Sequence, residues 1–319
     1  MLPSAGRSIH MAKVVIVGSG IAGLFAALKL EAAGHEVNVI TKQRPQDSST
    51  NWAQGGIAGI LDKTDGEAMQ SHINDTLLSG DGICDEVIVR CVVEEAGDRI
   101  RDLLAVGVDF EKEGEGFHLV KEGGHSERRI LHAKDATGAE IERALNMAVS
   151  QSKNITMSSH TLGVDLIQRV HGVPEKGVKG IWCLCLDSGE MKAIPADVIL
   201  IATGGCGHLW ERTTNPSVST GDGLAMAVRA GASNKNMAFF QFHPTALMSG
   251  NKTPFLITEA LRGEGGVLLD DDGLINYRKG DDTPDKHSFT LEFSDLGSLA
   301  TRDIVARACD PVSYTHLRA

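Results

Sequence analysis

The hexapeptide Gly18-Ser19-Gly20-Ile21-Ala22-Gly23 limits the possible folds of this chain more than any other feature. Before it, Lys13 to Val17 (KVVIV) is a continuous run with no polar face, as a strand buried on both sides of a parallel sheet requires. After it, Ile21, Leu24, Phe25 and Leu28 recur at helical spacing and Gly34 supplies a stop. Val37 to Ile40 reads as the next strand. Strand, glycine turn, helix and strand within about 30 residues make the βαβ unit of a doubly wound α/β sheet. In such a unit the first glycine permits the tight turn and the second lets backbone approach a pyrophosphate. The third lets helix and strand pack closely, so that the helix N-terminus faces the anion. Dinucleotide binding is the expectation.

The second strand bears on which dinucleotide. An NAD site commonly carries Asp or Glu about 20 residues on, at the C-terminal end of that strand. Here the strand ends in Thr41-Lys42, and Glu36 lies at its opposite end. A lysine there suits either an NADP phosphate or a site that meets the ribose through backbone.

The loop from Thr41 to Gly59 is polar, glycine-rich and too long for a simple connector, which makes it a candidate binding loop. Asp85 is expected to cap a helix with Ile88, Val92, Ala96, Ile100, Leu103 and Leu104 on one stripe, ended by Gly107. Thr137 and Glu140 form a capping box before Ile141, Leu145 and Ala148. Leu162 to Val170, Gly180 to Leu186 and Met191 to Ile194 read as an antiparallel meander inserted into the α/β domain. Val198 to Ile201 returns to the main sheet as a fully buried strand, and Ser219 to Gly231 reads as a helix carrying Asp222 in its first turn. The resulting domains are a leader at 1–10, expected to be disordered, a dinucleotide domain at 11–242, and the start of an α+β capping domain at 243–310.

Composition narrows the function classes. A formal charge of −11 opposes a large phosphate-neutralising surface, so no nucleic-acid partner is expected. The acidic stretch from Asp270 to Asp295 reads as a solvated face. The six cysteines form no C-x-x-C pair and no Cys/His group at zinc spacing; they read as reduced thiols of a cytoplasmic chain, and no metal is expected. No apolar run reaches the roughly 18 residues that span a bilayer.

The run Ser48-Ser49-Thr50-Asn51-Trp52-Ala53-Gln54-Gly55-Gly56-Ile57, preceded by the glycine hexapeptide, resembles the FAD-binding segments of the succinate dehydrogenase and fumarate reductase flavoprotein superfamily. Further matches are Ala202-Thr203-Gly204-Gly205, Ser219 to Gly223, Gln241 to Leu247, Thr258 to Gly265 and Arg302 to Arg307, colinear with the family to about Asp310. The resemblance implies FAD. Its expected contacts are Gly18 to Gly23, Lys42, Ser49 to Gly56, Thr203, Gly204 and Asp222. The respiratory members usually tether flavin through a His just before the Thr of the loop. This chain has Ser49 there, so noncovalent FAD is implied.

Within the superfamily, Glu122-Gly123-Gly124-His125-Ser126 resembles L-aspartate oxidases, where the Glu recognises the substrate amino group. That likeness implies oxidation of L-aspartate to iminoaspartate, reoxidation by oxygen or fumarate, the first step of de novo NAD biosynthesis, and quinolinate synthase as a partner. Glu122, His243, Thr258 and Arg302 are the implied catalytic residues, Arg302 contacting a carboxylate and donating a proton in the fumarate-reducing direction. Read without the resemblance, Arg302 and Arg307 are helix-surface ion-pair residues, and Thr258-Glu259 is a helix cap with a first-turn acid. On the same terms Trp52 and Phe242 are core aromatics.

The chain departs from the pattern at three places. Ala238 stands where the family commonly has Glu, Ala300-Thr301 replaces Ala-Pro, and residues 311–319 do not resemble the family. The expectation is a C-terminally truncated chain that lacks part of the substrate pocket and does not turn over alone. The competing readings are a noncovalent fumarate reductase or succinate dehydrogenase-like flavoprotein and a noncatalytic dinucleotide-binding module.

Overall fold

The computed structural model describes residues 11–248, 253–280 and 283–316. The leader at 1–10 lies outside the described residues. The chain forms two compact units, Met1–Ala53 with Val106–Val108 and Gly138–Asn236, and Gln54–Ala105 with Asp109–Thr137 and Met237–Ala319. The chain passes between the units at several places, the last of them between Asn236 and Met237.

The first unit is built on a four-stranded parallel sheet. Strand β1 (Lys13–Val17) lies between β2 (Glu36–Ile40) and the strand Val198–Ile201, and Ile155–Ser158 continues the sheet beyond β2. Val14 to Val17 are buried, as their unbroken apolar pattern requires. Val15, Val17 and Ile40 share a core with Ile181, Cys183 and Met226. The expected meander is present as Thr161–Gln168, Val178–Cys185 and Met191–Pro195, paired antiparallel. The strand Val198–Ile201 is less buried than expected. It lies at the sheet edge, and Val198 and Leu200, which share one face, are 51% and 36% exposed.

Helix α1 (Ile21–Ala32) follows β1 through the glycine turn. Gly18 holds φ at 116° while its N–H donates to the Ile40 carbonyl (2.9 Å). A side chain there would overlap the Ala202 carbonyl. At Gly23 a side chain would overlap the Gly18 carbonyl, so the first turn of α1 lies directly on the end of β1.

The second unit contains the expected helix as Glu86–Ala105, and Asp85 Oδ1 accepts from the Val87 N–H (3.0 Å). Its buried stripe is rotated from the expected one. Val89, Val93, Gly97, Ile100 and Leu103 face inward, whereas Ile88 and Val92 are 59% and 63% exposed. The cause is a second helix, Gly66–Ser79, which the sequence reading did not place; its Ile73 packs on Val89 and Val93. Asp65 caps that helix by accepting from the Ala68 N–H (2.9 Å). The unit also holds a three-stranded sheet of Ile57–Ala58, Ile130–Leu131 and Leu119–Val120, and the helix Arg302–His316, which continues through Pro311 into the segment expected to be foreign. Residues 317–319 lie outside the described residues. Among the described residues no helix is long and apolar enough to cross a membrane.

The close approach at Gly23 gives a direct test. Gly23→Ala must separate α1 from β1, so it should destabilise the chain by roughly 1–3 kcal/mol. Urea unfolding should show a lower midpoint at unchanged slope, and FAD affinity should fall with it.

Candidate functional site

The first unit carries a cavity of ≈ 480 Å³ at the C-terminal end of β1. Gly18, Ser19, Gly20, Ile21 and Ala22 line one side, Ser49 and Thr50 another, and Thr203, Gly204, Lys42 and Asp222 complete the part that the sequence anticipated. Thr161, Leu162, Gly163 and Met226 also line it and were not anticipated, and Ser219, from the matched segment before the helix Asp222–Arg229, joins them. The first three come from the meander and Met226 from that helix, and no glycine motif marks the meander residues in the sequence.

This cavity fits a dinucleotide pyrophosphate. The N-terminus of α1 opens into it, Gly20 provides no side-chain cap, and the first turn has no acid to compete with an anion. The Ile21 N–H donates to Thr50 Oγ1 (3.0 Å), which ties the binding loop to the helix start. Ser49 Oγ lies 3.1 Å from Ser219 Oγ on the other wall.

Lys42 does not present a free cation. Its ammonium donates to Asp222 Oδ2 (2.5 Å) and Thr220 Oγ1 (2.6 Å). Burial works against ionisation of Asp222, but the hydrogen bonds from Lys42 and Thr220 and the Lys42 charge together hold its carboxyl below the usual range. The charge that would select an NADP phosphate is thus already neutralised within the wall of the cavity.

The rest of the expected cofactor set is placed elsewhere. Gly23 serves helix–strand packing. Asn51, Trp52 and Ala53 are outside the cavity lining, and Trp52 is 50% exposed, so it is not the core aromatic expected. Gln54, Gly55 and Gly56 belong to the second unit, where a side chain on Gly55 would meet the Glu122 carboxylate.

Behind the binding loop sits a buried acid that the sequence reading did not single out. Glu142, 1% exposed, accepts from Ser48 Oγ (2.5 Å), and among the described residues its Oε1 is buried without a hydrogen-bond partner. Burial pushes this carboxyl up to about 7, against the pull of Ser48 and Asn146.

A second cluster lies within the other unit. Arg302 Nε donates to Glu259 Oε2 (2.5 Å), and Arg262 Nη2 donates to Glu259 Oε1 (2.6 Å). Glu259 and Arg262 are 3% and 4% exposed in their side chains, and Arg262 Nη1 also donates to the Ser298 carbonyl (2.7 Å). Without the family resemblance, Thr258-Glu259 reads as a cap and first-turn acid. Glu259 is instead a buried bridge between two guanidiniums.

Arg302 keeps its Nη end for other partners. Nη2 lies 3.9 Å from Glu122 Oε2 and Nη1 donates to Gln241 Oε1 (3.4 Å). Burial raises the Glu122 carboxyl, with repulsion from Glu259 acting in the same direction and Arg302 and Arg262 opposing. His243 is held below the usual imidazole value, first by burial and then by the Arg302 charge. Its Nδ1 lies 3.1 Å from the Thr245 carbonyl oxygen. Thr258 Oγ1 accepts from the Ala260 N–H (3.4 Å). Phe242, expected as a core aromatic, is 48% exposed.

The Glu122 turn has an anchor of its own. Ser126 donates through both N–H and Oγ to Asp75 Oδ2 (2.8 Å each), and the fully buried Arg129 donates to the same oxygen (2.6 Å). Asp75 lies on the unanticipated helix Gly66–Ser79, so local sequence held no sign of this contact.

The family model described as FAD binding domain matches residues 13–312. An L-aspartate oxidase of Streptomyces coelicolor is 43% identical over 314 residues, a match that covers 96% of this chain and 50% of that protein. A chloroplastic L-aspartate oxidase of Arabidopsis thaliana is 42% identical over 317 residues, covering 96% and 46%. The chain thus spans about half the length of the curated relatives it matches. Among solved structures, an E. coli quinol fumarate reductase superposes with a TM-score of 0.82 at 26% identity, covering 96% of this chain and 51% of that one.

The buried Glu142 predicts a pH effect with a definite sign. Its folded pKa of about 7 exceeds the ordinary 4.5, so the folded state binds the proton more tightly. Stability should therefore fall as pH rises from 4.5 towards 7 and level off above. Glu142→Gln removes the charge. Its thermal midpoint should exceed that of the parent by roughly 2–4 °C or more at pH 8, with the gap closing at pH 4.5, as scanning calorimetry would record.

Proposed function

We propose, from the premise that this chain belongs to the FAD binding domain family and that its cofactor is FAD, that the polypeptide carrying it oxidises L-aspartate to iminoaspartate. The observation that carries this reading is the pairing, within one unit, of Arg302 Nη2 with the carboxylate of Glu122 (3.9 Å). A guanidinium end offers two parallel donors to a carboxylate. A neighbouring carboxylate offers a partner to an ammonium. An α-amino diacid uses both, and succinate or fumarate uses only the first.

When bound, FAD supplies the hydride acceptor. The protein contributes binding, orientation and proton placement. Glu259 fixes Arg302 through Nε, so that Nη1 and Nη2 point away from the buried bridge and can clamp a substrate carboxylate. His243, kept neutral, and the Thr258 hydroxyl offer polar contacts to the second carboxylate. In the fumarate-reducing direction Arg302 is the proton donor that the family resemblance implies.

The cofactor is held noncovalently in the cavity of the first unit, with Gly18 to Ala22 at the pyrophosphate and Ser49 and Thr50 on the binding loop. The oxidant is oxygen or fumarate. The reaction is the first step of de novo NAD biosynthesis in the cytoplasm, and quinolinate synthase is the partner that consumes iminoaspartate. The likeness to quinol fumarate reductase favours a second reading, a noncovalent dicarboxylate reductase.

The primary test is anaerobic addition of L-aspartate to the full-length, FAD-loaded polypeptide, which should bleach the flavin absorbance. A protein recovered without flavin after loading would end the proposal, and flavin that no dicarboxylate reduces would favour the noncatalytic module. Glu122→Gln separates the two enzymatic readings. kcat/KM for aspartate should fall by about 30-fold or more, the effect of removing one partner of a buried charged pair, while fumarate reduction changes little. Equal losses on both substrates would remove Glu122 from ammonium recognition.

A further inference from the structure

We propose that Glu111, His118 and His132 form a binding site for a divalent d-block cation of the zinc class, with a fourth coordination position left for water. The three residues lie within one short stretch of chain and belong to none of the motifs above. The chain brings their ligand atoms within 4.8 Å of one another, all three partly buried.

Backbone contacts hold the arrangement. The hairpin of Lys112–Glu113 and Gly116–Phe117 sets Glu111 and His118 side by side, and the His118 N–H donates to the Glu111 carbonyl (3.0 Å). On its other side, the Glu111 N–H donates to the His132 carbonyl (2.8 Å). Glu111 is thus pinned to both histidines before any side-chain contact is counted.

The side chains then converge. His118 Nδ1 lies 2.8 Å from His132 Nε2, and His132 Nε2 lies 3.7 Å from Glu111 Oε2. A tetrahedral zinc with bonds of about 2.0–2.2 Å sets its ligand atoms roughly 3.3–3.5 Å apart. The two measured separations bracket that span, and the third pair lies within 4.8 Å, so loading needs only rotations of side chains already gathered in one place.

One tautomer is fixed in advance. His132 Nδ1 lies 3.1 Å from the Lys134 carbonyl oxygen, which can only accept, so Nδ1 carries the proton and Nε2 keeps its lone pair for a cation. Without a cation, His118 Nδ1 donates to that lone pair; on loading, its proton moves to His118 Nε2 or to solvent. Two imidazoles and one carboxylate select Zn²⁺, Co²⁺, Ni²⁺ or Cu²⁺ over Mg²⁺ and Ca²⁺, which prefer all-oxygen sites.

The site has a route to the proposed chemistry. From His118 the chain runs through the strand Leu119–Val120 to Glu122, so the site adjoins the segment that carries the ammonium partner under the proposed function.

The test uses tag-free protein dialysed against chelator and titrated with Co²⁺ alone. The expected result is one saturable equivalent with the visible bands of four-coordinate Co²⁺, displaced by Zn²⁺. His118→Gln and His132→Gln should each weaken binding by at least about tenfold, while His171→Gln, at an exposed histidine elsewhere, leaves it unchanged. Absence of saturable binding, or equal affinity in parent and both ligand variants, would overturn the proposal. If a ligand variant fails to fold, ¹⁵N spectra of the parent decide the matter. Zn²⁺ must shift His132 Nε2 and His118 Nδ1, and unshifted resonances would refute the site.

Discussion

The contact between the first turn of α1 and the carbonyl of Gly18 is the constraint on which the first unit rests. It exists because position 23 has no side chain, and it delivers the unpaired N–H groups of the helix to the mouth of the cavity. The binding loop is assembled on that fixed point. Ile21 N–H holds Thr50, and Ser19 Oγ donates to the Pro45 carbonyl (2.9 Å). The Gly138 N–H donates to the Ala53 carbonyl (3.0 Å), and Glu142 reaches back to Ser48, so the helix that follows closes the loop from behind. A polar segment with no regular structure is thereby held at both faces by hydrogen bonds, which is how a loop becomes a rigid wall.

Electrostatics does the corresponding work in the second unit. A carboxylate as buried as Glu259 is tolerable only if it is paired and hydrogen-bonded, and two guanidiniums provide both. The arrangement leaves one guanidinium end directed elsewhere and places a second carboxylate, Glu122, within the field of the first. Repulsion from Glu259 adds to burial, and the proton affinity of Glu122 rises as a result.

These two sites were unequally legible in the sequence. The βαβ unit could be read because each of its signals is local: an apolar run, three glycines and a helical period. The stripe of Glu86–Ala105 came out one residue off because periodicity gives a helix two adjacent candidate faces, and packing against a neighbouring helix through Ile73, Met69 and Leu77 favours one of them. Glu259 and Arg262 look like ordinary helix-end residues until Arg302, far along the chain, arrives opposite. The same holds for Asp75 under Ser126, and for Glu111, His118 and His132. Pairings across more than one turn or hairpin leave no periodic trace, so the residues that orient the site were less visible than those that touch it. Lys42 shows the converse: its chemistry was visible, and its partner Asp222 changed what that chemistry means.

The raised proton affinity of Glu122 bears on how one cluster could serve both an amino acid and a plain diacid. With Glu122 ionised, two arginines face two carboxylates and the cluster is neutral, leaving Glu122, on the proposed reaction, to pair with the ammonium of aspartate. With Glu122 protonated the same cluster carries one positive charge, which suits fumarate, a dianion with no ammonium to offer. On the proposed reaction, aspartate favours release of that proton and fumarate favours its uptake, and the carboxyl is easier to protonate than a free glutamate because burial and Glu259 raise its proton affinity. On the proposed reaction, then, Glu259 does more than orient Arg302. It adds to burial, the larger cause, in raising the proton affinity of Glu122, and with it the charge that the cluster presents to a ligand.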